Sequence, residues 1–250
     1  MGTTGTFEGA NSEIARKTLV MFYLVDVSGS MEGTKIATVN EAMRELLPEM
    51  KKISDDNADA VIKLAVMQFS SGAEWITQFP VDFEDFTWID LEACGATYLG
   101  EACNLLNSKL NKDEFLQGKV GNLAPVIILM SDGGPNDDFY SGLAKLKENR
   151  WFRHAIKVAI AIGNDADKNV LADFTGTNET VIEAKNKQML KKMIKFVSVK
   201  SSTVATGDTG GGTDPDASAE QAQKDVAEMI QDQIEEENES GTGTLPAGWV

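Results

Sequence analysis

Three short segments of this 250-residue chain concentrate hard oxygen donors: Asp26-Val27-Ser28-Gly29-Ser30, Gly95-Ala96-Thr97 and Ser131-Asp132-Gly133-Gly134. Together Asp26, Ser28, Ser30, Thr97 and Asp132 supply two carboxylates and three hydroxyls. An oxygen-only set suits Mg²⁺, with Mn²⁺ or Ca²⁺ as alternatives, and disfavours zinc or copper. Ser28 and Ser30 stand two residues apart, so in an extended turn both hydroxyls face one point while Val27 turns to the core. Gly29 is expected to permit the sharp bend between them. Two carboxylates only just neutralise a divalent ion, and five side chains, some acting through water, leave an octahedral shell incomplete. An incomplete shell on an electropositive ion invites an external carboxylate. The competing use of these residues is local: Ser30 or Thr34 could cap the helix that follows.

The elements that must position these segments follow from hydrophobic patterning. Residues 18–25 (TLVMFYLV) are almost wholly apolar and β-rich, as a strand buried on both faces requires. Residues 60–69, 125–130 and 155–162 have the same character. Between them lie helical periodicities at 35–53, 99–110, 140–147 and 189–199, the first with Ile36, Val39, Met43, Leu46, Leu47 and Met50 on one face. Residues 74–79 follow strand 60–69 after only Ser70-Ser71-Gly72, too short for a crossover, so an antiparallel edge hairpin is expected. A short last strand is expected at 180–182. The alternation predicts a doubly wound α/β fold with a mostly parallel sheet and one antiparallel edge strand. Ligands of such sheets sit at the carboxyl ends of the strands near the switch point, the rim to which all three donor segments map.

Composition narrows the function. With 23 Lys plus Arg against 39 Asp plus Glu the chain carries −16, which disfavours nucleic acid as a partner. No hydrophobic run approaches the roughly 20 residues that span a bilayer. Residues 1–11 lack the basic and apolar regions of a signal peptide. The two cysteines, Cys94 and Cys103, form no C-x-x-C pair, so reduced thiols in the cytoplasm are expected. Organisation is expected as a flexible N-terminus at 1–14, one domain at 15–200 and an acidic tail at 201–250, which holds −10 of the net charge. The tail opens with a Gly-rich run and continues as an amphipathic helix at 218–237. There Ser218-Ala219-Glu220-Gln221 matches a capping box, and Ala222, Val226, Met229, Ile230 and Ile234 recur at helical spacing. That helix either docks or stays solvated, and the Gly-rich run predicts that residues after about 201 are dispensable for folding. Asp137 and Asp138 are expected as solvated loop acids, His154 as a packing or surface residue, and 163–167 as a helix-entry turn.

Asp26-Val27-Ser28-Gly29-Ser30 resembles the Asp-x-Ser-x-Ser signature of von Willebrand factor A (vWA) domains, the metal-ion-dependent adhesion site or MIDAS. Thr97 and Asp132 match its two other ligands in order and position, with Gly95-Ala96-Thr97 replacing the common Gly-Gly-Thr. The resemblance covers about residues 15–200. The segments DVSGSMEGTKIATVNEAM, CGATYLGEA, ILMSDGGPNDD and AIAIGNDADKNVL resemble the bacterial TerY-like branch associated with tellurium resistance. It implies a Rossmann-like vWA fold, direct ligation by Ser28, Ser30 and either Thr97 or Asp132, and Asp26 acting through water. The implied function is non-enzymatic: a Mg²⁺-dependent grip on an Asp or Glu of a protein partner. By the same resemblance that partner is a kinase, a phosphatase or another tellurium-resistance or stress-response protein. Two alternatives compete. A metal-dependent phosphoester hydrolase is opposed by Ser28, which stands where such enzymes usually carry a second Asp, and an extracellular adhesin by the missing signal peptide.

Overall fold

The computed structural model describes residues 16–207 and 215–240. The expected N-terminal segment at 1–14, most of the Gly-rich run and residues 241–250 lie outside the described residues. Strands β1 (Lys17–Asp26), β2 (Ala60–Phe69), β5 (Val126–Ser131), β6 (Ile156–Ile162) and β7 (Val181–Ala184) run parallel. The sheet order is β3-β2-β1-β5-β6-β7, with β3 (Ala73–Trp75) and the two-residue β4 (Val81–Asp82) both antiparallel to β2. The order therefore reverses between β1 and β5, which end in Asp26 and Ser131. The antiparallel edge strand is shorter than the expected 74–79. Thr77 Oγ1 accepts the Val66 N–H at 3.0 Å, so a side chain ends the ladder there.

Each central strand buries both faces, which is why it carries no polar alternation. Leu19, Met21, Tyr23 and Val25 pack with helices α1 (Thr34–Asp56) and α6 (Lys187–Thr206). Val20, Phe22 and Leu24 pack on the other side with α2 (Leu99–Lys109), α3 (Phe139–Glu148) and α5 (Lys168–Thr175). All six apolar residues expected on one face of α1 are buried. Its N-cap is Gly33 at φ 77°, with no side-chain capping bond, so neither Ser30 nor Thr34 serves as the cap. Two short helices escaped the periodicity: α4 (Arg150–His154), capped by Asn149, and α5, capped by Asp167. The latter accounts for 163–167 as a helix-entry turn.

The tail departs most from expectation. Helix α6 continues to Thr206, past the boundary drawn at residue 200, and α7 (Pro215–Ser240) starts before the expected capping box. Pro215 suits a first helical position, because its missing N–H would have no partner there. Ala222, Val226, Ala227 and Ile230 are buried, and all but Ala227 belong to the core on the α1 and α6 face. The Gln223 amide accepts from Lys157 N–H at 2.8 Å and donates to Lys157 O at 2.8 Å and Thr180 Oγ1 at 3.0 Å. It takes a strand neighbour's place, since β7 begins pairing only at Ala159. His154 Nε2 meets Asp216 Oδ1 as well. Of the two expectations for this helix, docking is the one observed, which argues against a dispensable tail: a Gly-rich run reports on the connection, not on whether the next helix has a face to bury. No helix among the described residues is long and apolar enough to cross a membrane.

Burying Val226 and Ile230 alone contributes on the order of 3–6 kcal/mol before ordering costs. A chain ending at Gly207 should therefore lose more than about 5 °C in thermal midpoint. An unchanged midpoint would mean that α7 adds nothing to the domain's stability.

Candidate metal centre

The switch point brings together the ends of two adjacent parallel strands, and with them two carboxylates. Asp26 is fully buried; its Oδ1 accepts the Ser28 N–H at 2.8 Å and its Oδ2 accepts the Ser131 hydroxyl at 2.5 Å. Burial pushes the Asp26 carboxyl above its usual range. The hydrogen bonds from Ser131 and Ser28 pull it back, and the negative charge of Asp132 adds to the upward push. Ser28 Oγ and Ser30 Oγ lie 3.0 Å apart, and Ser30 Oγ donates to Asp132 Oδ1 at 2.6 Å. Both hydroxyls thus face one point, as their spacing predicts.

Gly29 works differently from the expectation. It does not adopt a positive φ. It opens a 3-10 turn, Gly29–Met31, and its N–H donates to Gly95 O at 2.9 Å. A Cβ on Gly29 would stand 3.3 Å from that carbonyl, so glycine serves close approach between two loops. Cys94 N–H also donates to Val27 O at 2.7 Å, a second stitch between the same loops. Gly95 has φ 83° and packs against Ser71, where a Cβ would fall 2.5 Å from the hydroxyl.

This stitching delivers Thr97, which is buried. Its N–H donates to Asn136 Oδ1 at 2.9 Å, and Asn136 N–H returns a bond to Thr97 O at 2.7 Å. Thr97 Oγ1 and Ser30 Oγ are each 3.7 Å from the point where a Gly133 Cβ would lie. Asp26, Ser28, Ser30 and Asp132 are thus linked by hydrogen bonds or hydroxyl contact, and Thr97 stands across Gly133 from Ser30. Among the described residues no three His, Cys, Asp or Glu side chains converge as metal ligands. A cation at this rim must therefore draw on the hydroxyls as well as the two carboxylates. The donor set fits a hard divalent ion.

Several participants were missed from sequence. Lys35 Nζ donates to Asp132 Oδ2 and lies 3.6 Å from Asp165 Oδ1. Side chains in a helix's first turn point back toward its N-terminus, so a lysine there, shortly after the Asp26 segment, was a usable signal. Ser131 stood in a donor segment but was not counted among the ligands, and Asn136 had no signal, since it acts on a loop distant in sequence. Asp137 and Asp138 do more than the solvated acids expected, although Asp138 is exposed. Asp137 accepts from the N–H groups of Gly100 (3.0 Å) and Glu101 (2.8 Å), capping α2 from another loop, and Asp138 caps α3 through Ser141 N–H.

The sequence profile of the von Willebrand factor type A domain matches residues 21–196. No curated protein matches the sequence. Among solved structures, proximal thread matrix protein 1 from the mussel byssus superposes with a TM-score of 0.56 at 20% identity, covering 72% of this chain and 47% of that one. The same protein with a zinc-occupied MIDAS motif gives 0.56 at 19%, with 72% and 47% covered. The pilus adhesin SpaC from Lactobacillus rhamnosus GG in its open conformation gives 0.55 at 13%, covering 86% of this chain and 30% of that one. This chain spans less than half the length of each, and at such identities the likeness is one of fold. The profile match runs from within β1 into α6, across every strand of the sheet, and the chain belongs to the von Willebrand factor type A domain family.

Proposed function

We propose that this chain is a metal-dependent protein–protein interaction module that grips an Asp or Glu of its partner through a MIDAS-type Mg²⁺ site. The ligands in this reading are Asp26, Ser28, Ser30, Thr97 and Asp132. One observation carries it: the Ser28 and Ser30 hydroxyls lie together at the switch point of the sheet, and that of Ser30 reaches Asp132. Two carboxylates balance a divalent charge yet leave oxygen positions unfilled, and a partner's carboxylate completes them. No enzymatic step is required. Both Asp26 oxygens are committed to hydrogen bonds, which suits a ligand-positioning role better than a general base. The hard donors favour Mg²⁺ or Mn²⁺. Zinc, which occupies the MIDAS motif of the mussel protein, is the competing ion.

The cytoplasm, and a kinase, phosphatase or other tellurium-resistance or stress-response partner, complete the reading on the strength of the TerY-like segments. Both cysteines are free thiols, in keeping with a reducing compartment. Pull-down from lysate in Mg²⁺ and in EDTA tests the partner. Thr97→Ala should cost at least about 2 kcal/mol of partner affinity, as should EDTA, and the two losses should not add. Binding indifferent to EDTA would place the partner elsewhere on the surface.

The charge on Asp26 ties the stability of the fold to pH and to metal. Its pKa is raised in the folded chain. The associated stability is therefore present in acid and lost as pH rises through the raised value. Wherever the group is ionised without metal its charge is a cost, which a bound cation offsets. Asp26→Asn can keep the Ser28 bond and donate to Ser131 Oγ. In EDTA at neutral pH this variant should melt at or above the wild type, with the advantage shrinking in acid. Added Mg²⁺ should raise the wild-type midpoint alone. A variant melting well below wild type in EDTA would show that the ionised form is favoured by the fold.

A further inference from the structure

One of the two carboxylates at the switch point, Asp132, already holds a cation, and it belongs to the chain. Asp132 has a fully buried side chain with both oxygens engaged, Oδ1 by the Ser30 hydroxyl and Oδ2 by Lys35 Nζ. The Lys35 side chain is only 12% exposed, and its ammonium is also within 3.6 Å of Asp165, which is 76% exposed. Gly163 shapes this arrangement. A Cβ there would come within 3.1 Å of Lys35 Cε and 3.2 Å of Nζ, so the lysine lies against bare backbone on the β6–α5 loop. An ammonium and a divalent ion sharing one carboxylate in a half-buried site repel strongly. Each therefore weakens the other's hold on Asp132.

We propose that Lys35 is a built-in competitor for the metal, holding Asp132 when the ion is out and shifting to Asp165 when it enters. The proposal rests on the metal reading of this rim and adds a regulatory element to it. The lysine keeps Asp132 from being an unpaired buried charge in the metal-free chain. It also sets the ion concentration at which the site fills, because entry must displace an existing ion pair. Asp165 provides the exchange partner on the solvent side, reached by turning the end of one side chain.

The test is calorimetric titration of Mn²⁺, with Mg²⁺ in parallel, into the full chain as wild type, Lys35→Gln and Asp165→Asn, with thermal melts in EDTA. Lys35→Gln should bind Mn²⁺ about 10-fold more tightly, since removing the competitor's charge removes the exchange cost. It should also melt lower than wild type in EDTA, with the gap closing on addition of metal. Asp165→Asn lies on an exposed loop and should weaken Mn²⁺ binding several-fold by removing the place to which Lys35 moves. Equal or weaker binding by Lys35→Gln overturns the proposal while leaving the metal site standing. Should Lys35→Gln not fold, unchanged affinity in Asp165→Asn overturns it. A folded wild type and Asp165→Asn that both bind no metal remove the site reading and the proposal together.

Discussion

Two carboxylates, Asp26 at 0% and Asp132 at 2% exposure, stand side by side where the strand order reverses. Burying like charges in proximity costs several kcal/mol per ion unless donors or cations meet them. Much of the surrounding structure answers that cost. Asp26 draws on the Ser28 N–H and the Ser131 hydroxyl, and Asp132 on the Ser30 hydroxyl and the Lys35 ammonium. The sequence neighbours of the carboxylates are thus polar for a reason internal to the fold. The same hydroxyls that lower the burial cost are those a hard cation would use.

That arrangement depends on a sheet that brings β1 and β5 together in parallel register, with Val25 opposite Met130. The register sets Asp26 beside Ser131. Close approach then rests on bare backbone, through Gly29 against Gly95 between two loops and Gly142 of α3 against Gly100 of α2. Caps lent between loops fix the rest, with Asp137 holding the start of α2 and Asn136 holding Thr97. At the other end of the parallel sheet, α7 completes the start of β6 through Gln223 and adds Val226 and Ile230 to the core. Donor rim and docked tail therefore occupy opposite ends, and the tail's contribution is to the domain that carries the site.

What could be read in advance was what local pattern determines. The bounds of β2, the buried face of α1 and the placing of all five oxygen donors at one rim follow from periodicity and strand ends. What could not be read depends on contacts between distant segments. Gly29 looked like a bend because its neighbours are hydroxyl residues, but its partner, Gly95, is far away in sequence. Asp137 looked solvated because nothing near it needs a carboxylate, whereas the start of α2 does. Capping also defeated periodicity for α4 and α5, whose lengths are too short to show a face. The tail misled because flexibility in a linker and docking of the helix beyond it are separate properties.

Mn²⁺-induced paramagnetic broadening of backbone amide resonances distinguishes one cation held by the five oxygen donors from ions scattered over the acidic surface. Added below stoichiometry, Mn²⁺ should first bleach residues 26–31, 95–97 and 131–134, while amides of the acidic helix α7 stay sharp. Broadening centred on α7, or spread thinly over the acidic surface, would contradict a single shared cation and leave the cluster as a purely internal hydrogen-bond network.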